Sequence, residues 1–264
     1  MSRFPTANKS FGQHFLSSPT VINKITSPLP EGTDAIIEVG PGPAVLTPKL
    51  REYNLPFFVI EMDTRFVELL TPIVGEENVF NMDALNFDWS DFLSRHGFKN
   101  IWLVSNLPYN VSVPLTLSFL RIPEIKNMTL MYQKEVADKI LPKETKNSMG
   151  SLHVMCKTQF HLKHVVHAPP GAFVPPPKVD STVLHFARKD DADIPLSEID
   201  DFEKVIRLAF SQRRKQLGGV LKGDWGAELT QKTLEAAQIS PQVRSEALSY
   251  QDILNLYHAK TRLM

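Results

Sequence analysis

The residues of this chain best suited to chemistry stand together at Asn106, Leu107, Pro108 and Tyr109. An exocyclic amine on an aromatic base is a poor nucleophile, because its lone pair is delocalised into the ring. The side-chain oxygen of Asn106 and the carbonyl of Leu107, held on one side of such an amine, would accept its hydrogens. They would draw the nitrogen toward tetrahedral geometry and direct its lone pair at an activated methyl carbon. Pro108 biases Leu107 to an extended conformation and so fixes where that carbonyl points. Tyr109 offers a ring on which the target base can stack, a contact worth roughly 1–3 kcal/mol. Attack on a sulfonium is an in-line displacement with a good leaving group, so orientation rather than a general base supplies much of the rate. Taken alone the tetrapeptide is an ordinary proline turn, and its meaning depends on what precedes it.

Three upstream segments supply that context. In Glu38 to Thr47, Gly40 and Gly42 open a strand-to-helix turn where a ligand can approach the backbone. Pro41 between the glycines, and Ala44 in place of a third, depart from the dinucleotide fingerprint that receives a pyrophosphate, which favours a ligand without phosphates. Val-Ile-Glu-Met-Asp puts Glu61 at the carboxyl end of the next strand, where a carboxylate can accept from both hydroxyls of a ribose. Asn-Met-Asp-Ala-Leu puts Asp83 where it could accept from an adenine amino group. Each acid also reads as a helix cap or a surface charge. Open α/β sheets bind ligands at the carboxyl ends of their strands, so three such features at three successive tips together specify a nucleoside cofactor. A base inside a helix must be unstacked to reach such a pocket, and a second face for it is expected. The loop Phe173 to Ser181 offers Phe173 to sandwich the base against Tyr109, prolines to stiffen it, and Lys178 to meet a phosphate. Prolines that merely end one strand and begin the next are the alternative.

The elements that must position these residues follow from short apolar runs. Ala35 to Val39, Phe57 to Ile60, Asn78 to Met82, Ile101 to Val104 and Met128 to Met131 fit buried parallel strands. Amphipathic stretches of helical length, Ala44 to Tyr53 and Thr64 to Val74, lie between them. Strand alternating with helix implies a doubly wound α/β sheet. Leu152 to Phe160 and Ser181 to Ala187 alternate and are predicted to close one edge as a hairpin. After Ala187 the texture becomes charged, and helical patterns run from Leu196 to Val220, Ala227 to Ala237 and Tyr250 to Ala259, with helix-start signals at Ser197 and Ser249. Domains at 1–188 and 189–264 are expected.

Composition sets the remaining bounds. With 264 residues and 42% apolar content the chain can bury one substantial core and a small appendage. A lone cysteine, Cys156, excludes a disulfide framework and a Cys-rich zinc site; no metal is expected, and a reducing, cytoplasmic home is. No apolar run is long enough for a signal peptide or a membrane span. Because 29 basic and 29 acidic residues cancel, any nucleic-acid contact must use local patches. Candidates are Arg213, Arg214 and Lys215, Lys134 with Lys139, Lys178, and Arg3 with Lys9; each also reads as a solvated face.

Taken together these motifs resemble the ribosomal RNA adenine dimethyltransferases. The resemblance covers nearly the whole chain: Lys9 to Leu16, the Glu38, Glu61 and Asp83 segments, Asn106 to Ser112, Gln133 to Lys139, Met149 to Leu152, Phe173 to Ser181 and Phe210 to Leu217. It implies a Rossmann-like, seven-stranded S-adenosylmethionine-dependent methyltransferase sheet with a small C-terminal helical domain that helps grip RNA. It further implies that His14 and Leu16 contact cofactor, that Gly40 lines its methionine part, Glu61 its ribose and Asp83 its adenine, and that Asn106 belongs to both cofactor and target sites. Position 14 is commonly Asn in the family. The implied partners are small-subunit ribosomal RNA and the immature small subunit, with the protein acting as a monomer on two adjacent adenines near the RNA 3′ end. The related enzymes of large-subunit RNA that confer macrolide resistance share the Asn-Leu-Pro-Tyr motif. The Gln-Arg-Arg-Lys cluster and Gln133 to Lys139 look more like the small-subunit type. A binding-only assembly factor and a DNA adenine methyltransferase are the readings from other classes.

Overall fold

A computed structural model describes residues 13–143, 149–212 and 214–264, so Arg3, Lys9 and Arg213 lie outside the described residues. Described residues up to 137 together with 161–188 form one compact unit, and those of 138–160 together with 189–264 form a second.

The first unit is built on a seven-stranded sheet. Its strands are β2 (Ala35–Val39), β3 (Phe57–Glu61), β4 (Val79–Asn81), β5 (Ile101–Asn106), β6 (Ile125–Gln133), β7 (Phe160–Ala168) and β9 (Ser181–Arg188), and their order is β4-β3-β2-β5-β6-β9-β7. Strands β4, β3, β2, β5 and β6 run parallel, and β9 pairs antiparallel with β6. All five residues of β2 and of β3 are buried, as befits strands covered on both faces. The chain order reverses between β2 and β5, so the loops leaving those strands part and open a crevice at their carboxyl ends. A second, two-stranded ladder joins β1 (Phe15–Leu16) to β8 (Phe173–Val174), with Leu16 opposite Phe173. It ties the N-terminal segment to the proline loop.

Helices α1 (Pro19–Ile25), α2 (Thr47–Arg51), α3 (Val67–Val74), α4 (Trp89–His96) and α5 (Ser112–Leu120) belong to this unit. The expected helix from Ala44 is shorter than its pattern: Ala44 has φ 60° and the helix begins at Thr47, because the glycine turn must first complete its bend. The Thr64 segment opens with a 3-10 turn that Asp63 caps at Arg65 N before α3 begins.

Leu152 to Phe160 is not a strand. Helix α6 (Lys134–Ile140) follows β6, and residues Ser151–Gln159 form helix α7, in which His153, Val154, Met155, Cys156, Thr158 and Gln159 are all buried. A segment buried nearly all round carries no usable periodicity, so its apparent alternation had no structural cause. The edge strand starts where that helix ends and carries Phe160 through a run of exposed His161, Lys163, His164 and His167, a polar composition that suits a sheet edge.

In the second unit α7 groups with the C-terminal helices α8 (Ile199–Phe210), α9 (Leu217–Ala236) and α10 (Tyr250–Arg262). The expected continuous helix from Leu196 to Val220 is broken into α8 and α9. Ser197 caps nothing: it lies in the 3-10 turn Leu196–Glu198, and α8 starts without a side-chain cap. Ser249 does cap α10, in a reciprocal capping box with Asp252. Helix α9 is interrupted at Gly226, whose φ of 76° and ψ of 171° favour glycine. Phe202 meets Tyr257 edge to face at 5.1 Å between α8 and α10. No helix of the described residues is long and apolar enough to cross a membrane.

Candidate active site

At the carboxyl ends of β2, β3, β4 and β5 lies a cleft that the segment Gln13 to Leu16 helps to line. Gly40, Glu61, Asp83, Asn106, Leu107, Pro108, Tyr109, His14 and Leu16 all line it. Residues far apart in sequence therefore converge because parallel strands deliver their C-terminal loops to one edge.

The glycine turn forms the floor. Gly40 has φ 65° and Gly42 φ 54°, and a Cβ added at Gly40 would meet nothing within 4 Å, so it would project into open space. Glu61 is buried at 6% exposure, with Oε2 accepting from Gly42 N at 2.9 Å and Oε1 from Asp63 N at 2.7 Å. Those two bonds aim the carboxylate and leave each oxygen a further lone pair. Burial raises the Glu61 carboxyl above the usual range, opposed by the same two N–H groups. Asp83 accepts from Leu85 N at 2.9 Å, so it caps a 3-10 turn as well as lining the cleft. Asp63 is held down to about 2 by the Arg65 guanidinium, whose Nε donates to it at 2.9 Å, and it also accepts from Gln13 Nε2 at 2.8 Å.

Glu38, within β2, is fully enclosed. Thr47 Oγ1 donates to its Oε2 at 2.7 Å, yet burial pushes its carboxyl up to about 8.

At the other end of the cleft Asn106 Nδ2 donates to His14 O at 3.2 Å, which leaves Oδ1 as the end free to face a ligand. The His14 ring lies against Tyr109 with centroids 5.8 Å apart and planes 26° apart, and its Nδ1 is 2.9 Å from Pro175 O. Tyr109 Oη is 2.7 Å from Ser181 Oγ.

Phe173 does not line this cleft. It is 2% exposed and packs in the core cluster with Leu16 and Ala172, because pairing in the β1–β8 ladder turns its ring inward. The expected sandwich of a base between Phe173 and Tyr109 is therefore not formed by this arrangement. Lys178 is exposed in the loop before β9, and Arg214 and Lys215 are exposed between α8 and α9.

The cleft's lining suits a nucleoside. The glycine floor offers a cradle that a side chain would fill, Glu61 offers acceptors for vicinal hydroxyls, and Ile60, Met62 and Ala84 offer apolar surface for a flat ring. A model of the family described as ribosomal RNA adenine dimethylase matches residues 5–262. The chain belongs to this family. It is an adenine methyltransferase of ribosomal RNA that uses S-adenosylmethionine. The chain is 38% identical to Ribosomal RNA small subunit methyltransferase A of Caulobacter vibrioides over 260 residues, 96% of this chain and 97% of that relative. It is 35% identical to the protein of the same name from Pseudomonas aeruginosa, over 92% of this chain and 90% of that one. A dimethyladenosine transferase from Plasmodium falciparum shares the fold with a TM-score of 0.74 at 24% identity, covering 92% of this chain and 96% of that structure. The 23S rRNA methyltransferase ErmE shares it with a TM-score of 0.68 at 21% identity, over 94% and 99%.

Four lining or supporting residues of the cleft escape a motif reading. Glu38 was available as a carboxylate inside an otherwise apolar strand run. Met62 follows Glu61 and, at 54% exposure, is a large apolar side chain left open at the cleft. Gln13 and Ser181 act through partners 50 and 72 residues away, Asp63 and Tyr109, which no local pattern announces.

Proposed function

We propose that this chain transfers methyl groups to N6 of two adjacent adenines near the 3′ end of small-subunit ribosomal RNA, acting on the immature subunit as a cytoplasmic monomer. The observation that carries the reading is that Asn106 and Tyr109 share one cleft with Gly40, Glu61 and Asp83. Bound S-adenosylmethionine supplies an electrophilic methyl carbon on a positively charged sulfur. Glu61 would hold the ribose, Asp83 would accept from the cofactor's adenine, Gly40 would line the methionine part, and His14 and Leu16 would contact the cofactor from the N-terminal segment.

The hydrogen bond from Asn106 Nδ2 to His14 O fixes which end of the amide accepts, so Oδ1 and the Leu107 carbonyl can take the two hydrogens of the target amine. Both interactions strengthen as the nitrogen becomes tetrahedral, which is where they lower the barrier. Once the methylated nitrogen has lost a proton to solvent a single hydrogen remains, and one acceptor still aims the lone pair for a second transfer. Tyr109 stacks the extruded base.

Residues 1–188 serve as the methyltransferase domain, apart from 138–160, which group with the C-terminal helices, and 189–264 serve as the RNA-gripping domain, with Lys178, Arg213, Arg214 and Lys215 meeting phosphates. The names of relatives at 33–38% identity support the small-subunit target over large-subunit RNA. The complete set of acceptors argues against a scaffold with dispensable catalysis. The test offers labelled cofactor with immature small subunits, large subunits and duplex DNA. Label in dimethyladenosine of the small subunit alone is expected; label only in the large subunit or in DNA overturns the reading.

A further inference from the structure

The burial of Phe173 leaves open what the proline loop does for the target site. We propose that its contribution is Ser181, a positioning residue that sets the Tyr109 ring for the incoming base. This inference rests on the reading of the cleft as the site of adenine methylation.

Tyr109 lies three residues beyond the end of β5, in a loop whose local bonds hold its main chain: Val111 N donates to Pro108 O at 3.1 Å, and Ser112 Oγ to Tyr109 O at 3.1 Å. Neither bond fixes the side-chain torsions. The stack with His14 constrains the plane of the ring but leaves it able to slide. The 2.7 Å contact from Tyr109 Oη to Ser181 Oγ pins the far end of the ring.

Ser181 is suited to hold something still. It is fully buried, it is the first residue of the β6–β9 ladder opposite Gln133, and the preceding Asp180 O accepts from Lys134 N at 2.9 Å. Its hydroxyl therefore stands at a point fixed by the backbone of two strands. The same strand end reaches Tyr109 by a second route. Tyr132 Oη is 2.7 Å from Thr116 Oγ1, Thr116 Oγ1 donates to Ser112 O at 2.7 Å, and Ser112 Oγ donates to Tyr109 O. With the Thr116 hydrogen committed to Ser112, Tyr132 is the donor in its pair. Ser112 frames Tyr109 at its backbone and Ser181 at its phenol, both referred to the end of β6.

Removing a buried hydroxyl's partner leaves a polar group unsatisfied or lets the ring relax toward another acceptor. Ser181→Ala and Tyr109→Phe delete the same bond from opposite sides, and the second keeps the stacking ring. Turnover and cofactor affinity are measured for the wild type, both single variants and the double variant on small-subunit particles. Each single variant should lose about threefold to tenfold in kcat with cofactor Kd unchanged, the range for one neutral hydrogen bond. The double variant should lose no more than either single one. A general loss of packing would instead lower thermal stability and give additive effects on kcat, and that additivity overturns the proposal. So does a Tyr109→Phe protein with wild-type kcat, a result available even if Ser181→Ala does not fold. A wild type that binds cofactor but transfers no methyl brings down the functional reading and this inference together. An active wild type matched by an equally active Ser181→Ala brings down this inference alone.

Discussion

Replacing Glu38 by Gln should stabilise the free protein increasingly as pH rises. The side chain is enclosed in β2, and burial lifts its carboxyl from 4.5 to about 8. Thr47 Oγ1, its hydrogen-bond donor at 2.7 Å, can donate equally to a glutamine oxygen. The unfolded chain ionises near 4.5 while the folded chain holds its proton until about 8. Between those values the folded state binds the extra proton, so the Glu38 contribution is fully present below 4.5 and is lost as pH rises through 8. The slope over that window is about 1.4 kcal/mol per pH unit, and between pH 5.5 and 7.5 the loss is on the order of 3 kcal/mol. Glutamine has no such titration. Urea unfolding of both proteins, followed by the fluorescence of buried Trp89 and Trp102, should therefore show a stability difference that grows with pH in favour of Glu38→Gln. Parallel curves from pH 5.5 to 7.5 would refute the reasoning, because they would mean that the folded carboxyl ionises as readily as the unfolded one. Growth in the opposite sense would mean that an interaction with the ionised form dominates burial.

Other expectations follow from the same geometry. Glu61→Ala strands the N–H groups of Gly42 and Asp63 and removes the hydroxyl acceptors, so cofactor Kd measured by calorimetry should rise at least about tenfold. Gly40→Ala adds a Cβ at φ 65° that points into the cleft; cofactor affinity should fall more than thermal stability does. Neutralising Lys178, Arg214 and Lys215 together should flatten the plot of log K against log salt for RNA by about 2, at roughly 0.7 per phosphate contact, without changing which base is methylated. Ser249→Ala removes the capping box of α10 and should cost about 1 kcal/mol by chemical denaturation.

The strand tips were legible in the sequence because parallel strands covered on both faces read as unbroken apolar runs. Glu61 and Asn106 close such runs at the carboxyl ends of β3 and β5, whereas Asp83 follows β4, a half-buried to exposed edge strand rather than the buried one expected. What was not legible depends on partners distant in the chain. Phe173 looked available beside three prolines, and only its burial at 2% exposure in the core cluster shows that the ring faces inward. Helix α7 reads from its sequence as a strand and strand β7 carries no strand pattern at all, for opposite reasons. One is buried on every side and loses its period, while the other is an edge strand rich in His and Lys. Ser181 needed the β6–β9 register to acquire a meaning.

The most direct test is Asn106→Ala, with dimethyladenosine quantified by mass spectrometry of small-subunit RNA after single-turnover reaction at saturating cofactor. Losing an acceptor made mainly to the reacting amine should slow transfer by about 100-fold or more while cofactor Kd changes far less. Wild-type transfer by this variant, or a loss explained wholly by weaker cofactor binding, would remove Asn106 from the chemistry.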